Sequence, residues 1–205
     1  MASTAVAAKS EITLRGSTEI VTEFFAFGVN NILFQRGIYP PESFVPVSKY
    51  GTTMMVTSDE GLKHYLQQIM TQLADWLVKG EVQKLVLVVT GVETKEVRER
   101  WVFNVEMDTS VTADGPGKEK SPKEIQSEIQ AVVRQITATV TFLPLLDEPC
   151  TFDLLVYTKA DADVPTSWEE SDPKYITNAE DVRLRSFSTA VHKVDTMVTY
   201  KADDV

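Results

Sequence analysis

The sequence predicts an α+β fold in which three helices alternate with a mixed, largely antiparallel sheet, and three observations predict it. Apolar residues recur at helical spacing in the windows 17–36, 58–79 and 121–136. The windows 82–90 and 97–107 carry strand-forming residues across a short connection, 91–96, for which an antiparallel hairpin is the natural pairing. Finally, the run 152–157 is apolar on both faces apart from Asp153. Such a strand is covered by helices on one side and by something else on the other.

Each element has its own signals. Ser17 is the expected N-cap of a helix to about Arg36, with Glu19 in its first turn and Gly37 closing it. Ile20, Val21, Phe24, Phe25, Phe27, Val29, Ile32, Leu33 and Phe34 surround this helix, which marks it as enclosed by its neighbours. Tyr39-Pro40-Pro41 turns the chain, and a short strand over 52–57 follows. Ser58 is the expected cap of a second helix to Lys79, closed by Gly80. Leu62, Tyr65, Leu66, Ile69, Met70, Leu73, Trp76 and Leu77 form its buried stripe. In the second strand of the hairpin Val97, Trp101, Phe103, Val105 and Met107 share a face. Residues 108–120 contain Asp-Gly-Pro-Gly-Lys and no periodicity, so a mobile loop is expected there.

The third helix opens on a capping box, Ser121 with Glu124, and on Pro122 at the first helical position. Ile125, Ile129, Val132, Val133 and Ile136 line one face. From 137 to 143 the pattern switches to period two, Ala138, Val140 and Phe142 opposite Thr137, Thr139 and Thr141, which predicts a strand ending at Pro144.

The ends read differently. Residues 1–11 are small and unpatterned, a loose tail. Beyond 159, loop compositions surround Trp168, Tyr175 and Ile176, and large aromatics in a loop need a surface to lie on. From 182 to 200 the alternation is inconsistent: Phe187, Val191 and Met197 are odd-numbered, Val182, Leu184, Val194, Val198 and Tyr200 even. Such a pattern specifies register weakly and permits alternative pairings.

Length and composition bound the function. The 205 residues, 43% hydrophobic and 24% charged, fit one large or two small soluble domains. A net charge of -10 opposes a phosphate-binding surface, so no nucleic-acid partner is expected. No run approaches a membrane span, and the N-terminus has no apolar signal region, so neither anchor nor secretion is expected. The single Cys150 excludes an internal disulfide and suits a reducing compartment. His64 and His192 belong to no metal-ligand spacing, and Cys150 has no histidine near it in sequence. Gly115-Pro116-Gly117-Lys118 is no phosphate loop, and Asp161 with Asp163 could chelate a cation, although two carboxylates in a polar loop are usually just solvated. Trp168 is either a lid aromatic or a satellite of the core. Arg134 and Gln135 are either a recognition pair or C-terminal helix complements.

Four segments, 12–40, 134–146, 152–158 and 182–194, closely resemble the spindle-assembly-checkpoint branch of the HORMA-domain family. The resemblance implies one HORMA domain over 1–205, with a flexible tail at 1–11, no catalytic activity and no cofactor. It implies that 159–205 is a mobile "safety belt" that closes over a peptide from the anaphase-promoting-complex activator or from a coiled-coil kinetochore scaffold. Trp168, Arg185, Phe187 and His192 are the expected belt residues. Phe152, Leu154, Val156 and Tyr157, with Trp76, are the expected peptide-binding residues. Arg134, Gln135 and Phe142 are assigned to the surface through which an open and a closed copy associate, and an AAA+ ATPase with its adaptor to resetting the closed copy by pulling on the N-terminal segment. Nucleus, cytoplasm and kinetochore are the implied locations. The alternative is an adaptor of another HORMA branch, a translesion-polymerase accessory subunit or a meiotic chromosome-axis protein, against which the Arg134-Gln135 pair argues. Physically, an edge strand at 152–157 accepts a peptide by strand addition, and the tail competes for that edge.

Overall fold

Thr13, not Ser17, opens the first helix. The computed structural model describes residues 10–112 and 114–202, and in it α1 spans Leu14–Gln35. Thr13 has extended backbone angles and its hydroxyl accepts from the N–H of Gly16 at 3.1 Å. Ser17 is already inside the helix and buried. At the other end Gly37 adopts φ +64° and Ile38 donates back to the Leu33 carbonyl at 3.0 Å, the closure its glycine predicts. The second helix, α2 (Glu60–Lys79), is capped by Asp59, whose carboxylate accepts from Leu62 N–H at 2.7 Å; Ser58 lies one residue too early. Gly80 closes it in the left-handed conformation, as expected.

Between these helices β2 (Phe44–Lys49) pairs antiparallel with the expected β3 (Thr52–Thr57) as a separate two-stranded sheet. Pro46 masked β2 in the sequence; a small sheet with open edges tolerates it. Tyr50 and Gly51 make the turn, both at positive φ.

The loose tail and the mobile loop are each partly ordered, because they pair with one another. β1 (Ser10–Ile12) runs antiparallel to β6 (Lys118–Lys120). Residues 1–9 lie outside the described residues. The third helix, α3 (Pro122–Thr139), continues past Ile136, so no strand forms at 137–143. The hydroxyls of Thr137 and Thr139 fold back onto the carbonyls of Val133 and Gln135, at 3.2 and 2.8 Å, which lets these residues stay helical. Ser121 stands at the N-cap but its hydroxyl makes no capping bond, so the expected capping box is not formed.

The main sheet has the order β7-β4-β5-β9-β8, with every neighbour antiparallel. Its strands are β4 (Val82–Gly91), β5 (Val97–Met107), β7 (Cys150–Thr158), β8 (Ala179–Ser188) and β9 (His192–Lys201). The predicted β4–β5 hairpin and the strand at 152–157 are therefore present. The tail, whose register the sequence leaves weakly specified, pairs here as a hairpin along β5. A bulge between Arg183 and Ser186 resolves its mixed alternation: Val182 and Leu184 before it and Phe187 after it all pack towards the helices. Met197 points the other way, into a second cluster.

The helix-side core is built on α1. Phe24 lies 4.7 Å from Phe187 and 5.8 Å from Phe103, ring centre to ring centre, at steep angles. The opposite face buries Val86, Val88 and Val102, with Val97, Leu155, Tyr157 and Met197 around them.

Candidate functional site

The two edges of this sheet are treated differently. At β8 the outward N–H groups of Arg185 and Ser188 donate to α3 side chains, Gln135 Oε1 at 2.6 Å and Glu128 Oε2 at 2.9 Å. That edge is sealed. At the opposite edge β7 pairs with β4 alone, and no described strand meets its other side. The edge predicted to receive a guest strand is the one left open.

Residues 159–178 leave the end of β7 and reach the start of β8, at opposite edges and near opposite ends of the sheet. Strand spacing and rise put the direct path at roughly 30 Å, whereas a segment of about 20 residues reaches up to about 65 Å. The slack is spent at the β7 edge. On the helix side Trp168 stacks edge-on against Trp76 of α2, at 4.9 Å, and Trp76 Nε1 donates to the Asp163 carbonyl at 2.9 Å. Six residues on, Lys174 pairs with Asp153, and Tyr175 lies over the guanidinium of Arg100 at 4.9 Å. Asp153 and Arg100 alternate with residues of the helix-side core, so they belong to the other face of the sheet. The segment therefore passes from one face to the other around the open edge. It forms an arch over β7.

Under this arch the expected binding residues fall on two faces. Phe152, Leu154 and Val156 face the helices, Phe152 forming ring contacts with Tyr39 at 6.1 Å and Tyr65 at 5.9 Å. Burial raises the pKa of the Tyr65 hydroxyl, and the Asp153 carboxylate adds to the rise. Tyr157 is on the other face, with Lys84 Nζ 4.2 Å from its ring centre and Arg100 donating to its hydroxyl at 3.4 Å. Trp76 is 1% exposed, beneath Trp168, and anchors the arch. Of the expected belt residues only Trp168 lies in the crossing segment; Arg185, Phe187 and His192 belong to the β8–β9 hairpin. Lys174, Arg100, Tyr39 and Tyr65 were not foreseen as site residues. Tyr175 was visible only as an aromatic needing a surface, and Arg100 is that surface.

Arg134 is exposed on α3, and Phe142, in the turn beyond it, is 54% exposed, whereas Gln135 is tied to β8. The three lie along one end of α3, but only two present free side chains.

Catalytic chemistry finds no open site in these residues. Ser17 Oγ is 2.7 Å from His192 Nδ1 and 2.5 Å from Thr189 Oγ1, yet serine, histidine and threonine are all buried. Burial pushes the His192 pKa down to about 4, the Leu77 carbonyl only partly opposing it. The Cys150 thiol is raised by burial and stays protonated at neutral pH. No group of three or more metal-ligating side chains occurs among the described residues. No helix among the described residues is long and apolar enough to cross a membrane.

The buried imidazole has a measurable consequence. The unfolded chain takes up a proton near the ordinary value of 6.5 and the folded chain only near 4. Stability is therefore intact above 6.5 and falls as the pH drops towards 4, by about 3 kcal/mol from this group. Denaturant titrations of the wild type should show that loss, and those of His192→Gln should show a flatter dependence over the same window.

The HORMA-domain profile matches residues 17–192, and the match runs through the arch and both edges. The chain belongs to the HORMA-domain family. A Dictyostelium discoideum relative named "Mitotic spindle assembly checkpoint protein MAD2A" is 61% identical over 197 residues, 96% of this chain and 97% of its own. A Homo sapiens protein of the same name is 60% identical over 190 residues, 93% of each. Among solved structures, a chain of "Crystal Structure of Mitotic Checkpoint Complex" superposes with TM-score 0.84 at 49% identity, covering 91% of this chain and 99% of that chain. A Caenorhabditis elegans HTP-2 "bound to HIM-3 closure motif" shares the fold, with TM-score 0.71 at 18% identity, covering 95% and 94%.

Proposed function

We propose that this HORMA domain is a spindle-assembly-checkpoint protein that adds a guest peptide to the open edge of β7 and holds it beneath the 159–178 arch. The single observation that carries this reading is the passage of that segment around the edge, from Trp168 on Trp76 to Lys174 on Asp153. Backbone hydrogen bonds to β7 supply affinity, and side chains on its two faces supply selectivity. Because the arch closes over the guest, release needs the arch to open as well as the strand to unpair. Dissociation is then slow.

The guest comes from the anaphase-promoting-complex activator or from the coiled-coil checkpoint scaffold. The β8–β9 hairpin lies on β5 and leaves β7 available, which supports reading this arrangement as the closed state. In an open state the same tail would cover β7 instead, and moving between the two requires detachment and re-pairing across the sheet. The exchange is slow even if the states differ by only a few kcal/mol. A scaffold-bound closed copy recruits open copies through Arg134, Gln135 and Phe142, and an AAA+ ATPase with its adaptor resets the closed form from the N-terminal side. The protein works in the nucleus, the cytoplasm and at the kinetochore. It acts by binding, not by chemistry. The high identity to relatives with checkpoint names favours this over the other HORMA branches.

Trp168→Ala tests the arch. Removing the ring from Trp76 should speed dissociation of a bound activator peptide about tenfold or more in a chase with unlabelled peptide. An unchanged rate would contradict the reading. Arg134→Glu combined with Gln135→Ala should abolish association between copies in a sedimentation assay while peptide capture persists; equal loss of both would make the pair structural.

A further inference from the structure

The outer edge of β7 is open to a strand, yet one of its backbone donors is already taken. At one end of the strand Lys159 donates to the Glu81 carbonyl at 2.9 Å, and just past the other end Val92 donates to the Pro149 carbonyl at 2.8 Å. Between these two bonds β7 pairs residue for residue from Cys150 to Tyr157, the irregularity lying on the β4 side. The odd-numbered residues therefore turn their backbone groups towards β4, and Phe152, Leu154 and Val156 turn theirs outward. These are the N–H and C=O groups that an added strand would bond.

The N–H of Leu154, the middle residue of the three, donates to the hydroxyl oxygen of Tyr65 on α2. The Tyr65 ring reaches that point across Phe152, 5.9 Å away centre to centre at 75°, and Tyr39 backs Phe152 at 6.1 Å and 67°. Leu62, Leu66 and Ile69 of the same helix are buried, so α2 cannot roll and Tyr65 overhangs the edge. Burial holds the hydroxyl above its ordinary pKa and the Asp153 carboxylate adds to the rise, while the Leu154 donor opposes both. At neutral pH the oxygen is an uncharged acceptor. Strands pair at a spacing of about 4.8 Å, so a phenol oxygen bonded to Leu154 stands where the carbonyl of an incoming strand would have to be. The two cannot bond this N–H together. The ring is 40% exposed, and rotation about its own torsions carries the hydroxyl into water without disturbing the buried stripe of α2.

We propose that Tyr65 caps the open edge in the empty protein, and that a guest strand must displace its hydroxyl from Leu154 before it pairs with β7. The cap keeps the middle of an exposed edge from joining stray strands, and it is weak enough, one neutral hydrogen bond, for a specific guest to remove. Tyr65 acts on entry and not on release, because in the complex its hydroxyl has already left the strand. The identity of the guest rests on the proposed peptide clamp, whereas the cap itself is a property of the empty protein.

Tyr65→Phe tests this by keeping the ring on Phe152 and removing only the acceptor. The sample is the empty monomer with its hairpin on β5, separated by ion exchange. Association of a labelled activator peptide should become about fivefold faster, and dissociation in a chase with unlabelled peptide should match the wild type. Amide exchange of the same empty monomer, read by NMR, should rise by a similar factor at Leu154 and stay unchanged at Val156, whose outward N–H bonds to no side chain among the described residues. Association that is unchanged or slower would overturn the proposal. Faster dissociation would overturn it too, because the hydroxyl would then be a contact of the bound guest. If neither protein captured the peptide, the clamp function would fall, and exchange at Leu154 would still decide whether Tyr65 caps the edge.

Discussion

Glu99→Ala should lower the stability of the domain by about 3–5 kcal/mol, the range expected when one partner of a buried ion pair is removed. Glu99 Oε1 accepts from Arg36 Nε at 2.8 Å, and the two side chains are 2% and 5% exposed. Its other oxygen accepts from Trp101 Nε1 at 3.0 Å, while Arg36 also donates to the Pro144 carbonyl at 2.7 Å. Alanine leaves a guanidinium and an indole N–H buried without their acceptor, and both desolvation penalties then stand uncompensated. The damage reaches the site, because Arg36 ends α1 and Pro144 lies on the path to β7. Chemical denaturation of the variant measures the loss. Combining Glu99→Leu with Arg36→Met should recover much of it, since an apolar pair leaves no orphaned charge. If the single variant lost less than about 1 kcal/mol, solvent would have to reach this pair.

Phe187→Ala should have the second large effect, and on binding more than on folding. Phe187 is the residue of β8 driven deepest into the core, with its ring on Phe24 of α1. Truncating a buried phenylalanine costs about 3–5 kcal/mol. That exceeds the few kcal/mol expected to separate two packings of one tail, so the population should leave the arrangement in which the hairpin lies on β5. Apparent affinity for a guest peptide falls with the competent fraction, by roughly a hundredfold for 3 kcal/mol. Titration calorimetry gives the affinity, and slow ion-exchange separation of the two monomers gives the populations. An unaltered affinity would mean that docking of the hairpin does not control access to β7.

How much of this was legible in the sequence follows from where the signals are local. Gly37 and Gly80 closed their helices as expected because a left-handed C-terminus is decided by the residue itself. The strand at 152–157 was legible from its two apolar faces. The ITATV run was misleading: Ile136, Ala138 and Val140 alternate with threonines by coincidence, and threonine hydroxyls that bond back to the preceding turn let a β-prone segment remain helical. β1 and β6 were invisible because each is three residues long and exists only through the other. The mixed parity of 182–200 has a local cause in the arrangement seen here. The segment contains a turn and a bulge, which one periodicity cannot describe. At the site, Trp168 and Tyr175 carried a usable signal as aromatics stranded in polar loops, whereas Lys174 on Asp153 and Glu128 on Ser188 are single long-range contacts that no spacing encodes.

The arch itself can be tested by closing it. In a Cys150→Ser background, the pair Asp153→Cys and Lys174→Cys places reactive thiols where the arch meets β7, and a short bis-maleimide joins them. Cross-linked after peptide loading, the protein should keep its guest through a prolonged chase, while cross-linking beforehand should block capture. A guest that still exchanged freely from the cross-linked protein would have to lie outside the arch, and the clamp described here would be wrong.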